Sequence, residues 1–371
     1  MGKPPLRKMH KVLVVSVRII RPAALALLAS SLLFAGIPAA TAAEVATLYT
    51  AQVALDEEVD NPRQEAYKAA LAAVLLRVSG GELGSDPEMI ELLFPSPSSY
   101  VVQFRPGEDD TLWVSFDGEA VEAVLRESGQ TFWGTDRPVT LVWLAVDWGQ
   151  GDREIIGADD PDRDRAAGRS IDRDRLLRQR VLDIAMRRGI PVLFPLMDTE
   201  DQHNVGFSDI WGGFDELLLA ASERYEVDSI LIGRIRATSN ERNRWSYYFA
   251  GDQRIWNGEP ELVVGLVADQ LANEFAIRGD APVEFVDLLV SGVTSVEAYG
   301  EIQNMLAATT VVESFSIGEV SGDLIRYRVE VLGGIERLRR ALRISGLIEQ
   351  NDFAGAEYPL ETLEFFYSSE Y

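Results

Sequence analysis

Residues 133–148 read WGTDRPVTLVWLAVDW, and the architecture turns on how this stretch is understood. Gly134-Thr135-Asp136-Arg137-Pro138 has turn chemistry, with glycine, aspartate and proline gathered in five residues. From Val139 to Val146 the chain is apolar, β-branched or aromatic, with Thr140 the one polar residue. A strand with one wet side alternates polar and apolar side chains. This one has no polar face, which predicts a strand covered on both sides. Everything before it reads as one small module and everything after it as two more.

Upstream, Lys3, Arg7, Lys8, Lys11, Arg18 and Arg21 precede the apolar run Ala23 to Ile37. Small residues follow, with Ala40 and Ala42 in an A-x-A relation. Basic n-region, apolar core and small-residue site together form a Sec-type signal peptide over residues 1–43, with the cut expected after Ala42 or Ala43. Met9 is an alternative start. The core of about 15 residues is short for a membrane span of ~20. The expected address of the mature chain is the periplasm.

The 371 residues carry 35 basic and 59 acidic side chains, a net charge of −24, and no cysteine. Residues 1–43 hold six of the basic residues and no acid, so the remainder stands at −30. Such a surface repels phosphate backbones and anionic lipid, so nucleic acid is not an expected partner. Without cysteine there is no disulfide, thiolate metal site or thiol nucleophile.

The fold class expected is multi-domain, α+β and α/β. Residues 44–131 predict a small α/β sandwich. Asn61-Pro62 is expected to start a helix as N-cap and N1 residue with Gln64 at the capping-box position, and Tyr67, Ala70, Leu71, Val74, Leu75 and Val78 share one helical face. Residues 132–280 predict a mixed-sheet α/β module, with a polar loop over 149–173, a second loop holding His203, and helices on one or both faces of the sheet. Residues 281–371 predict a ferredoxin-like β-α-β-β-α-β module whose first helix opens at a Thr294-x-x-Glu297 capping box. Leu125-Arg-Glu-Ser-Gly129 and Leu342-Arg-Ile-Ser-Gly346 share L-R-x-S-G, each closing the helix after a hairpin, so the last module echoes the first.

No motif spells out a reaction. His203 is the one histidine after the signal, and no G-x-S-x-G elbow accompanies it. Gly149-Gln150-Gly151 lacks the third glycine of a phosphate loop. Asp160-x-Asp162-x-Asp164 lacks the glycine and glutamate of a calcium loop. No metal and no cofactor are expected, and no catalytic residue is assigned. The best candidate for ligand binding is the hinge itself. Asp147 sits where open α/β sheets place ligand crevices, and Trp133 and Trp148 flank the strand. Arg137 is positioned to stack on Trp133 or pair with an acid and so hold the first module to the second. Trp143, in mid-strand, is expected in the core.

The strings Leu75-Leu-Arg-Val-Ser-Gly80, Tyr100-Val-Val-Gln-Phe104, Phe132-Trp-Gly134 and Arg137-Pro-Val-Thr-Leu-Val-Trp-Leu-Ala145 resemble a proteobacterial secreted family known as domain of unknown function 2066. Ala220-Ala-Ser-Glu-Arg-Tyr225 and Ser229-Ile-Leu-Ile-Gly-Arg234 extend the resemblance over nearly the whole mature chain. It brings no activity or catalytic residues. The middle module is loosely similar to the α/β domains of TolB-type and lipoprotein-activator proteins, a likeness of architecture. The expected role is a non-enzymatic envelope interaction or scaffold protein with a protein partner. The alternatives are a small-ligand or glycan-binding module near Asp147 and Trp148, and a hydrolase working with carboxylates alone.

Overall fold

The computed structural model describes residues 48–81, 83–158, 172–238, 243–349 and 362–368. The signal segment and the aspartate-rich stretch 160–164 lie outside them. The first sheet is built from β1 (Thr50–Ala54), β2 (Val101–Pro106) and β3 (Thr111–Phe116) in the antiparallel order β1-β3-β2. Helices α1 (Pro62–Val78), α2 (Pro87–Leu93) and α3 (Gly118–Glu127) complete it. Tyr67, Ala70, Leu71, Val74, Leu75 and Val78 are all buried, as their spacing requires. The start of α1 differs from expectation. Asn61 adopts φ 58° and its side chain caps nothing, so the capping box with Gln64 does not form. The Asn61 carbonyl instead accepts from the amides of Gln64 and Glu65. Asparagine tolerates this left-handed backbone better than most residues.

After the short strand β4 (Thr131–Phe132) the hinge stretch enters β5 (Thr140–Gly149). Val142, Leu144 and Val146 pack in one apolar cluster with Leu177, Val181 and Ala185 of α4 (Asp172–Arg188). Leu141, Trp143 and Ala145 pack in another, with Ile210, Leu218 and Ala221. Period-2 alternation therefore sends successive residues into two different cores, and both need apolar side chains. That is why the stretch lacks a polar face.

The segment 149–173, expected as a loop, begins instead with β6 (Asp152–Ile156), hairpinned onto β5. Gly149, Gln150 and Gly151 all have positive φ, so the G-x-G is the turn itself. Its first two residues, Asp152 and Arg153, are exposed, and Ile156 is buried. Downstream lie β7 (Val192–Leu193), α5 (Thr199–Asn204), α6 (Phe207–Gly212), α7 (Asp215–Ser222), β8 (Ser229–Arg236), β9 (Arg244–Phe249), β10 (Asp252–Asn257) and α8 (Pro260–Phe275). His203 thus belongs to a short helix, α5, and not to a loop. The strand order is β10-β9-β8-β5-β6, with β7 pairing the start of β5. β5, β7 and β8 are parallel, the others antiparallel. Helices α4 and α8 cover one face and α6 and α7 the other, a three-layer α/β/α arrangement.

β11 (Ile277–Arg278) pairs with β4. The last module then runs β12 (Val283–Ser291), α9 (Val296–Ala308), β13 (Val312–Ser321), β14 (Leu324–Leu332), α10 (Ile335–Ile344), β15 (Ile348–Glu349) and β16 (Thr362–Phe366). Ser295, one residue after the expected Thr294, caps α9, its hydroxyl accepting from the Ala298 amide at 3.1 Å. The sheet order is β13-β14-β12-β16-β15. The first four elements of the sheet follow the ferredoxin-like order, with one departure. β16 runs parallel to β12, where a ferredoxin-like last strand would run antiparallel. β15 has that antiparallel sense but sits outside β16. With two residues and a half-exposed Ile348, β15 has little to bury, whereas β16 places Leu363 and Phe365 in the core.

The echo between the outer modules is structural. Apart from α2, which has no counterpart in the last module, β1-α1-β2-β3-α3 and β12-α9-β13-β14-α10 share element order and the first-third-second antiparallel arrangement. The two L-R-x-S-G strings make the same helix end. Gln130 and Leu347 amides return to the carbonyls of Leu125 and Leu342, with Gly129 and Gly346 left-handed. Ser128 and Ser345 hydroxyls donate to Val124 and Ala341. Apolar residues of the two modules form one continuous cluster that includes Phe132 and Ile277 of the β4–β11 pair. The two modules that are farthest apart in sequence thus share a core.

Candidate functional site

The four residues singled out at the hinge fall at opposite ends of β5. Trp133 and Arg137, before the strand, are enclosed, at 2% and 0% exposure. Trp133 stacks on Phe275 at 6.2 Å, and its amide donates to the Val78 carbonyl at 2.6 Å. Arg137 lies 4.0 Å over the Trp133 ring. Its guanidinium donates to the carbonyls of Gly134 (2.8 Å), Gly189 (2.8 Å), Arg77 (3.1 Å) and Trp133 (2.6 Å). These carbonyls come from the end of α1, the hinge and the turn after α4. The fork geometry of arginine, with five donors in one plane, suits such a junction. Neither residue is open to a ligand, and together they lock the first module to the middle one. Gly134 is required by the same close packing, since a Cβ there would collide with the Thr310 hydroxyl.

Thr310 also donates to the Asp136 carboxylate, tying the last module to the hinge. Burial pushes the Asp136 carboxyl up to about 6, against the Thr310 bond and the Arg137 charge, which both lower it. The folded chain therefore keeps this proton at a pH where the unfolded chain, near 3.8, has released it. The stability it contributes is complete below about pH 4 and is lost as pH rises through 6. At ~1.4 kcal/mol per pH unit the difference is about 1–3 kcal/mol. Asp136→Asn should remove this term, so urea midpoints measured from pH 4 to 7.5 should converge on, or cross, those of the wild type at the upper end. Parallel curves would exclude a buried, protonated Asp136.

At the other end of β5, Asp147 accepts from the Gly149 amide at 3.0 Å and pairs with Arg153 of β6 at 3.5 Å. Trp148 donates to Glu154 at 3.3 Å and lies under Arg173 at 4.7 Å. Asp147 is therefore engaged by its own hairpin, and Trp148 by the hairpin and by the start of α4. His203 is exposed. Among the described residues no group of three or more His, Cys, Asp and Glu is placed to hold a metal ion. Asp201, at 1% exposure, has its carboxylate consumed by Tyr225 (2.5 Å), Arg224 (3.0 Å) and the Met197 amide (2.8 Å). That network braces the connection around α5 and leaves no free base.

A cavity of about 610 Å³ lies elsewhere, between the middle and last modules. Glu223, Glu226 and Asp228, from the turn leading into β8, face Glu301 of α9 across it. Ile302, Met305, Leu347 and Ile348 are among its apolar lining residues. Arg343 is the single basic residue of the lining. Tyr367 donates to Glu301, and this bond raises the phenol's pKa. The sequence reading missed this cleft, since its walls are about 75 residues or more apart in the chain and no local pattern links them. The one available signal was the three acids Glu223, Glu226 and Asp228 close before an apolar strand.

No helix among the described residues is long and apolar enough to cross a membrane. No curated protein and no solved structure matches the chain significantly. Residues 42–134, from the expected cleavage site to the hinge turn, match a family described as a domain of unknown function (DUF8605).

Proposed function

We propose that this chain is a non-catalytic interaction protein of a bacterial envelope, which holds a basic, partly apolar segment of a partner protein in the cleft between its middle and last modules. The observation that carries this reading is the lining of that cleft, which combines four carboxylates with several apolar residues and a single arginine. Such a surface favours lysine and arginine at its rim and aliphatic side chains at its base. Export rests on the signal-peptide pattern of residues 1–43, and the start of the matched family domain at residue 42 supports the position of the cut. The resemblance to domain of unknown function 2066, which runs past residue 134 through the β5 and β8 strings, belongs to the same reading.

A fluorescent Lys/Leu peptide of about a dozen residues should bind the mature chain at low salt and be released as salt screens the carboxylates. Glu223→Lys combined with Glu301→Lys should weaken it at least tenfold, on the basis of about 1 kcal/mol for each reversed charge at a rim. Binding that ignores both reversals, or no anisotropy change at all, would sink the reading. Intact mass of the exported protein tests the cut, and retention of residues 1–43 would remove the export argument.

A further inference from the structure

The exit of β8 presents a second cavity, of about 190 Å³, on the face covered by α6 and α7. It is lined by Arg234, Arg236, Arg244 and Trp211, with Gly212 and Gly213. Arg234 and Arg244 stand directly opposite one another on β8 and β9. Like charges in that relation are destabilising. Arg236 lies two residues along β8 and so projects to the same face as Arg234.

These three guanidinium groups are not equivalent. Arg234 is neutralised by Asp215 and anchored by the Ile210 carbonyl (2.5 Å) and the Ser246 hydroxyl (3.2 Å). Arg236 lies 5.0 Å over the Trp211 ring, and its backbone amide is held by the buried Asn243 side chain at 2.9 Å. Among the described residues no carboxylate pairs with Arg236 or Arg244. The carboxylate next along the sheet, Asp147, is taken by Arg153. A chain whose net charge is −24 therefore places around a small hollow two arginines that have no ion-pair partner among the described residues.

We infer that this hollow is a phosphate-binding site, taking a phosphate group that carries close to two negative charges. Two guanidinium groups without an ion-pair partner among the described residues match a dianion, and a phosphate near neutral pH carries about −1.5 to −2. Arginine forks offer paired N–H groups to its oxygens. Arg234, already neutralised, positions the wall, and Trp211 holds the Arg236 plane in place. The location, outside the carboxyl end of a parallel strand, is where open α/β sheets bind ligands. The hairpin residues Asp147 and Trp148 lie on the neighbouring strand β5 and are not part of this lining.

The test uses the full mature chain in low-salt chloride buffer, with inorganic phosphate and phosphoserine followed by ³¹P NMR and thermal melting, and with phosphatidic acid vesicles followed by co-sedimentation. A ³¹P shift with a phosphate-dependent rise in Tm assigns a soluble phosphate. Co-sedimentation alone assigns a lipid headgroup. Arg236→Gln and Arg244→Gln should each weaken the response at least tenfold, and Arg187→Gln on α4 should leave it unchanged. Without phosphate, Arg244→Gln should melt at or above the wild-type temperature, because it relieves the opposed Arg234–Arg244 pair. The inference is overturned if no arm responds, or if the response survives both substitutions. Peptide binding in the acidic cleft is unaffected by either outcome.

Discussion

Arg137→Ala should lower the free energy of unfolding by about 4 kcal/mol or more, measured by urea denaturation followed through tryptophan fluorescence. The substitution strips the donor from four carbonyls at once, those of Arg77, Trp133, Gly134 and Gly189. A buried acceptor left without a partner costs roughly 1–3 kcal/mol, and the vacated space beside Trp133 adds a cavity term. Some of the carbonyls will recover water or shift, so the sum is not simply additive. Desolvation pulls the Arg137 guanidinium down to about 9, while the neighbouring Tyr49 and Asp136 favour its charge. Arg137→Lys should rescue little, because one ammonium cannot span carbonyls from three segments or stack flat on Trp133. A loss below about 1 kcal/mol for the alanine variant would refute the junction role.

Trp143→Ala should cost about 3–5 kcal/mol, the range for removing a fully buried large aromatic side chain. Trp143 is wholly enclosed in the cluster under α6 and α7. Its indole N–H donates to the Ser222 hydroxyl at 2.9 Å, and Ser222 in turn donates to the Leu218 carbonyl at 2.6 Å. Trp143→Phe keeps much of the volume and leaves Ser222 its Leu218 bond, so it should cost only about 1–2 kcal/mol. The comparison separates packing from hydrogen bonding. Amide exchange of α7 should speed up in the alanine variant, since that helix rests on the indole. Equal losses in the two variants would show that the hydrogen bond, not the ring volume, dominates.

Elements whose burial is dictated by their own periodicity were legible in the sequence. α1 shows its buried face at i, i+3, i+4 and i+7, and α8 spans Pro260–Phe275, opening at the proline that marks its start. β5 was recognisable as doubly buried from its missing polar face. The L-R-x-S-G strings marked equivalent helix ends because a left-handed glycine and a capping serine are local requirements. What escaped were elements without a local signature. β6 opens with the charged run Asp152-Arg153-Glu154 and buries only Ile156, α5 and α6 have six residues each, and β4 and β11 have two each, too short for any period to show. The capping boxes at Gln64 and Thr294 failed because a cap depends on backbone angles that the residue type alone does not set.

The hinge shows the division most clearly. Residues 133–148 by themselves determined that a turn would lead into a strand covered on both sides, because eight consecutive positions offer water almost nothing. Their chemistry also made Trp133, Arg137, Asp147 and Trp148 stand out together. Only the tertiary structure decided that the first pair is sealed in a junction and the second tied down by its own hairpin. It also decided that the open hollows lie elsewhere, one lined by carboxylates from distant turns and helices, the other by arginines of adjacent strands. The physical reason is range. Periodicity and turn chemistry act between neighbours in the chain, whereas a cavity and its charge arise from side chains that meet only after the sheets have packed.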